Sequence, residues 1–546
     1  FGSSIFPGDQ SMPSPPPSVV PPLDHASGEE DGALGGGRWH ADPGGDAPMC
    51  GCPGRGCLMT ICTLAGGALM FAAGARFGGA SGTSLFPDCL SRKVDFPSCA
   101  AARIPQNRSI KNIGSEGASG KLWSPVKLRD FGGELLFSTP SKVMAMKPAA
   151  YKPVHEFCDR WAVITSIFAP TILIEQLIAL PDWCTVVVGD KKSPNKEQYF
   201  AGLPTVSPSK PGRFVYLTVD DQLKLGYNIT AHLKYNHFGR KNIGFLYAIV
   251  HGAKTIYDTD DDNELLDNHQ LPAWHRLLNA GVTRKFAELR TCHPYVNPYP
   301  RFRSRGEDTR QAEFLWPRGF PLEGIKDCAT MVEDASLESR WIPAGKIGVL
   351  QSLANHDPDV DAIYRLAKHI PADFPSSGGP ARPRETVMAL PPGSMAPFNA
   401  QATLWSSKAF WGLLLPITVH GRVSDIWRGF FVQRFWWDTG LRLAFAEPWV
   451  QQIRNAHTYL ADFQSELPLY LKAGGLIRHL RSWKPSRPVN STAALLGAIE
   501  ELTVRLYELG VLEIEDIHLQ QAWLWDLMAT GHPRGDLLSW DESWLS

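Results

Sequence analysis

Between Gly239 and Glu264 the chain reads GRKNIGFLYAIVHGAKTIYDTDDDNE. Ile243, Leu246, Tyr247 and Val250 recur at helical spacing, and Gly252 stands where a helix stop is expected. KTIY then follows as a short strand that runs straight into Asp258, Asp260, Asp261 and Asp262. A helix feeding a strand is part of a crossover unit. This piece therefore limits the chain to folds in which strands are joined through helices.

The preceding stretch agrees. RWAVITSI is a β-branched run, PTILIEQLIALPD has helical apolar spacing, CTVVVGD is a second buried strand, and RFVYLTVDD is a third. Strands alternating with helices predict an α/β fold whose parallel sheet is covered on both faces. In such sheets ligands gather beyond the carboxyl ends of the strands. The loops after Ser166, Val188 and Tyr257 should thus share one rim, and Thr165, Asp190 and Lys191 should stand on it.

Crowded carboxylates on that rim repel one another and raise one another's pKa unless a cation is near. Oxygen-only ligation suits Mn²⁺ or Mg²⁺, which take one or two carboxylates and complete their shell with water and phosphate. Asp258, Asp260 and Asp261 are the candidate metal ligands. A calcium loop is excluded, because Asn263 stands where Gly is required and His269 where Glu is required. A plain solvated acidic turn is the structural alternative. Lys191, Arg240, Lys241 and Arg428 are candidate contacts to phosphate or base, against ordinary solvation at helix ends. Asp425, in GRVSDIWRGFFVQRF, has two readings: a general base for an acceptor hydroxyl, or a helix cap paired with Arg428. Arg428 or Arg434 would then be free to grip a diphosphate bidentately.

At 546 residues the chain has room for more than one ordinary core. Its 54 basic and 55 acidic residues leave no basic footprint for nucleic acid. Residues 1–56 are rich in Pro, Gly and Ser and read as a disordered cytosolic tail. Residues 57–75, CLMTICTLAGGALMFAAGA, carry no charge and read as a single transmembrane signal anchor, a cleaved signal peptide being the alternative. Residues 76–156 read as a stem. Sequons at Asn107, Asn228 and Asn490 all follow the apolar run and are candidate glycosylation sites on a lumenal side. The ten cysteines show no paired metal spacing, and some are expected to form disulfides. AALLGAIEELTVRLYELGVL and DIHLQQAWLWDLM predict a helical subdomain over 441–546. The tryptophans between Trp405 and Trp449 mark either a large packed region or a recognition surface.

From about Phe157 to about Gly531 the chain resembles the STELLO family. The resemblance is carried by the acidic stretch above together with VNPYPRF, WPRGFPLE, DPDVDAIYRL, SSKAFWGLLLPITVHGRVSDIWRGFFVQRFWW and AWLWDLM. It implies a GT-A-like nucleotide-binding fold, a Rossmann-like mixed sheet with flanking helices, over 157–440. It also implies a D-x-D-D metal motif at Asp258, Asp260 and Asp261, where this chain carries an extra acid, Asp262. Further implications are a single-pass type II Golgi membrane protein with its catalytic part in the lumen and a nucleotide-sugar donor. The acceptor would be a glycan or protein, with a link to cellulose synthase subunits and cell-wall polysaccharide. The competing functions are a catalytically weak transferase-like scaffold, for which the Trp-rich block is the candidate surface, and a nucleotide-sugar mutase. The latter rests on a weaker likeness to the reversibly glycosylated polypeptides.

Overall fold

The computed structural model describes residues 150–153, 157–203, 213–266, 285–291, 293–302, 315–327, 340–368, 370–374, 387–454 and 458–531. All of them belong to the unit Gly82–Ser546. The expected tail (1–56), membrane anchor (57–75) and nearly all of the stem, with Asn107, lie outside the described residues. No described helix is long and apolar enough to cross a membrane.

The alternation read from the sequence becomes β1 (Arg160–Thr165), α1 (Ile172–Ala179), β2 (Cys184–Val188), α2 (Lys196–Ala201), β3 (Phe214–Leu217), α3 (Val219–Lys224), α4 (Lys241–Val250) and β4 (Thr255–Thr259). β1 pairs in parallel with both β2 and β4, with Val163 opposite Val186 on one side and Asp258 on the other. Successive strand residues face opposite sides of a sheet. Trp161 and Val163 accordingly join the core under α4, while Ala162 and Ile164 join the core under α1. All ten residues of α4 are buried. Gly252, with φ of +88°, follows its C-cap residue in the left-handed conformation that glycine adopts most readily.

The sheet continues well beyond this half. β5 (Asn263–Leu265), β6 (Lys285–Glu288), β7 (Arg340–Pro343), β8 (Ile347–Asn355), β9 (Val387–Ala389), β10 (Ala402–Ser406) and β11 (Arg442–Gln452) complete it, with α5 (Ala362–Ala367) following β8. The strand order is β3-β2-β1-β4-β10-β8-β11-β9-β6-β7, and β5 pairs with β11. β10 runs antiparallel to β4 and β8, whereas β8 and β11 are parallel. The sheet is therefore mixed.

Helix α6 (Gly421–Thr439) lies between β10 and β11, and α7 (Tyr459–Ser482), α8 (Thr492–Glu508) and α9 (Ile514–Ala529) follow β11. The boundary expected at residue 440 falls one strand early, because β11 lies inside the sheet and helices resume only at Tyr459. The residues LAFAEPWV behave as a strand because their burial is set by β8 and β9 on either side. The helical tail docks through buried acids. Asp526 accepts from the backbone N–H of Ile229 at 2.9 Å, and Asp516 accepts from that of Ile417 at 2.7 Å. Cys158 and Cys184 are joined by a disulfide at the start of β1 and β2.

Candidate functional site

The sheet leaves β1 toward β2 and β3, then returns to β4 on the other side of β1. That reversal is a topological switch point, and the carboxyl ends of the two strands beside it are where such sheets bind ligands. The loops after β1, β2 and β4 are tied together on this rim. Ser166 Oγ donates to Asp261 Oδ2. Ser193 Oγ donates to Ser166 O at 2.7 Å and accepts from Asp190 N at 2.7 Å. Asp190 spends its carboxylate on the backbone N–H groups of Lys191 and His237. Thr165 Oγ1 donates to Val188 O at 3.0 Å, joining β1 to β2.

The acids split into an inner and an outer set. Asp258, still within β4, is fully buried on the same sheet face as Ile256. Two cations meet it there: Lys241 Nζ from α4 lies 2.7 Å from Oδ1, and Arg428 from α6 donates to Oδ2 at 2.9 Å. A carboxylate buried between two basic groups already has the neutralisation its burial demands. Both oxygens of Asp258, a candidate metal ligand, thus face side-chain cations. Lys241 also donates to Thr259 O at 2.7 Å, Ala400 O at 3.1 Å and Asp260 Oδ1 at 3.2 Å. Burial pulls its pKa down, but Asp258 and Asp260 more than offset that and hold the ammonium above its ordinary value.

Asp260, Asp261 and Asp262 lie past the strand end. Burial pushes the Asp260 carboxyl up to about 7, with Asp262, Asp258 and Asp425 adding repulsion against the pull of Lys241. About a third of its side chain stays exposed. Burial also raises Asp261, opposed by the Ser166 hydroxyl, and takes Asp262 up to about 6 with help from Asp261. Asp262 accepts from Gln452 at 2.9 Å through Oδ2, while its Oδ1 is buried without a hydrogen-bond partner. The exposed part of Asp260 and the orphaned Oδ1 of Asp262 are oxygens of the kind a divalent cation takes, one or two carboxylates at a time. Among the described residues, no three His, Cys, Asp or Glu side chains converge to hold one alone. Any such ion would need oxygens from water and substrate to complete its shell.

Asp425 joins the same neighbourhood by a route that helix spacing did not show. The helix begins at Gly421 with His420 as its cap, so Asp425 is neither cap nor partner of Arg428. It is instead held by Arg318, which donates to Oδ1 at 3.0 Å and Oδ2 at 2.9 Å. The same guanidinium grips Asp359 at 2.7 and 3.1 Å. Burial works against charge on Asp359, yet Arg318 keeps its carboxyl below the usual range. Asp425 Oδ2 also accepts from Ala400 N at 3.3 Å. One residue, Ala400, thereby links Asp425 through its N–H to Lys241 through its carbonyl. A polar ladder runs alongside: Asn399 donates to Asp359 at 2.7 Å and to Gln401 at 3.2 Å, and Gln401 donates to Asn263 at 2.9 Å.

The remaining basic candidates divide. Lys191 Nζ and the Arg240 guanidinium lie 4.0 and 4.7 Å from the ring centre of Tyr235, which is 39% exposed beside the rim. Arg240 is itself fully buried and donates through Nε to Gln222 Oε1 at 3.0 Å. Arg434 points away, donating to Trp483 O and to Asp438. In DPDVDAIYRL, Asp361 caps α5 by accepting from Tyr364 N at 2.8 Å. Asp357 pairs with Arg365. The Trp-rich block is mostly interior: Trp405, Trp411, Trp427, Trp436 and Trp449 are all at most 4% exposed, and only Trp437, half-buried against Arg434, reaches toward the surface. Asn228 and Asn490 are exposed, although Asn228 Nδ2 donates to Asp526 at 2.8 Å.

Sequence reasoning missed Arg318, Ser166, Gln401 and the inward turn of Lys241. Arg318 alone carried a signal, as the single charge in WPRGF, flanked by residues that suit a buried turn.

The fold and rim define an α/β protein with an acidic rim at a sheet switch point. Residues 422–542 match the family of STELLO glycosyltransferases. Two curated relatives from Arabidopsis thaliana, "Probable glycosyltransferase STELLO1" and "Probable glycosyltransferase STELLO2", are each 30% identical to the chain, over 387 and 389 residues. Both alignments cover 70% of this chain and 46% of the relative, so the chain spans about half the length of the curated relatives it matches. By these matches the chain belongs to the STELLO family.

Proposed function

We propose that this chain is a glycosyltransferase that moves a sugar from a nucleotide-sugar donor to a glycan or protein acceptor, with Mn²⁺ or Mg²⁺ at its acid motif. The family matches support transferase chemistry. The observation that carries the rest is the split of the acid motif, with Asp258 sealed inside by Lys241 and Arg428 and Asp260 about a third exposed at the switch point. A GT-A-like mixed sheet is consistent with the strand order and with the antiparallel β10 beside β4.

Departure of a nucleoside diphosphate builds negative charge, which a divalent ion stabilises as a Lewis acid. Asp260, Asp261 and Asp262 would hold that ion. Ser166 orients Asp261, and Gln452 orients Asp262. Tyr235, backed by Lys191 and Arg240, offers an aromatic face for the nucleoside. Asp425, buried and forked by Arg318, is in this reading the candidate general base, which requires an acceptor oxygen to come within hydrogen-bond reach of it.

We also place the site in the Golgi lumen, behind a single-pass anchor at 57–75. The Cys158–Cys184 disulfide supports an oxidising compartment, and exposed Asn228 and Asn490 suit glycosylation there. Involvement with cellulose synthase is part of the same proposal and rests on family membership alone.

Titration of the full chain with uridine diphosphate, with and without Mn²⁺, tests the reading. Metal-dependent uptake that is lost in Asp260→Ala supports it, and no uptake under either condition ends it.

A further inference from the structure

Lys241 was expected to reach phosphate, yet its side chain is fully buried. Its ammonium nitrogen is ringed by four oxygens at 2.7 to 3.2 Å: Asp258 Oδ1, Thr259 O, Ala400 O and Asp260 Oδ1. An ammonium has three donors and no acceptor. Four oxygens around it, two of them carboxylate and two carbonyl, are the surroundings of a bound cation, with no proton left over for an incoming anion. Arg428 takes the other oxygen of Asp258, so two basic groups balance Asp258 and Asp260.

We infer that Lys241 is the resident cation of the acid motif. Its ammonium fills the inner position between Asp258 and Asp260, and this confines a divalent ion to the outer face of Asp260, Asp261 and Asp262. This rests on the proposed metal-dependent transferase reading and adds to it that the inner carboxylate is closed to metal by the protein itself. Lys241 is a positioning residue here: it sets the carboxylate of Asp260, and the Ala400 carbonyl extends that hold toward Asp425.

The inference has a sign opposite to that of a phosphate clamp. A neutral side chain at 241 leaves the Arg428–Asp258 pair balanced, strips Asp260 of its counter-charge and opens an oxygen cage. Manganese should then bind more tightly, by about tenfold or more, because a like charge next to the ion has been removed. Loss of a phosphate clamp would instead weaken nucleoside diphosphate binding and leave manganese affinity unchanged.

The test is calorimetric titration of MnCl₂ into the full chain, unaltered and as Lys241→Met and Lys241→Gln. Tighter binding, or a second ion per chain, in either variant supports the inference. Unchanged or weaker binding in a folded variant overturns it, while uptake of Mn²⁺ and uridine diphosphate by the unaltered chain leaves the transferase reading standing. Should both variants fail to fold, reductive methylation of the unaltered chain decides. Lys241 that resists labelling with and without uridine diphosphate supports the caged ammonium. Labelling that the diphosphate blocks overturns it.

Discussion

Arg318 reaches across 107 positions to fork both carboxylate oxygens of Asp425, at 3.0 and 2.9 Å, while the same guanidinium holds Asp359 and donates to Arg422 O. Removing one partner of a buried charge pair leaves the other uncompensated. Arg318→Met strands two buried carboxylates and should lower stability by about 3–5 kcal/mol. Chemical denaturation measures this. Arg318→Lys should recover only part of the loss, since a single ammonium does not reproduce the fork.

The inner and outer acids should respond to substitution in opposite ways. Asp258→Ala leaves Lys241 and Arg428 facing each other in the interior, with an expected loss of about 3–5 kcal/mol. Asp260→Ala removes a partly exposed side chain, so the fold should survive and Mn²⁺ uptake should fall. Denaturation and calorimetry on both variants separate the two roles. Equal destabilisation by both would contradict the split.

Gly244 brings α4 against the sheet directly beneath the rim. A Cβ there would lie 2.6 Å from Val163 Cγ1 and 2.9 Å from Val188 Cγ2. Gly244→Ala should therefore destabilise by about 1–3 kcal/mol, despite the better helix propensity of alanine. A rise in melting temperature would show that the two valines move aside freely.

His479 gives the helical tail an acid limit. It is 4% exposed, both ring nitrogens lack hydrogen-bond partners, and burial with Arg505 nearby lowers its pKa to about 4. The unfolded chain takes up this proton near the ordinary histidine value, about 6.5, well before the folded chain does. Its contribution is complete above that value and declines as pH falls toward 4, by about 3 kcal/mol in all. His479→Leu should flatten that part of the stability curve. An unchanged slope between pH 6.5 and 4 would sink the assignment.

The sequence by itself determined the alternation from Arg160 to Thr259 and the arrival of four acids at a strand end. These rest on periods of 2.0 and 3.6 residues and on a glycine stop, all of which are local. The tertiary structure alone decided what each acid meets. Asp258 and Asp260 stand two positions apart and read alike, yet one is sealed by α4 and α6 while the other stays about a third exposed. Arg428 passes over Asp425, three residues away on its own helix, and pairs with Asp258 across 170 positions. Likewise β11, with the residues of a plausible tail, becomes a strand between β8 and β9. Burial leaves a charge needing whichever opposite charge packing brings near, and packing joins residues whose separation along the chain no local pattern records.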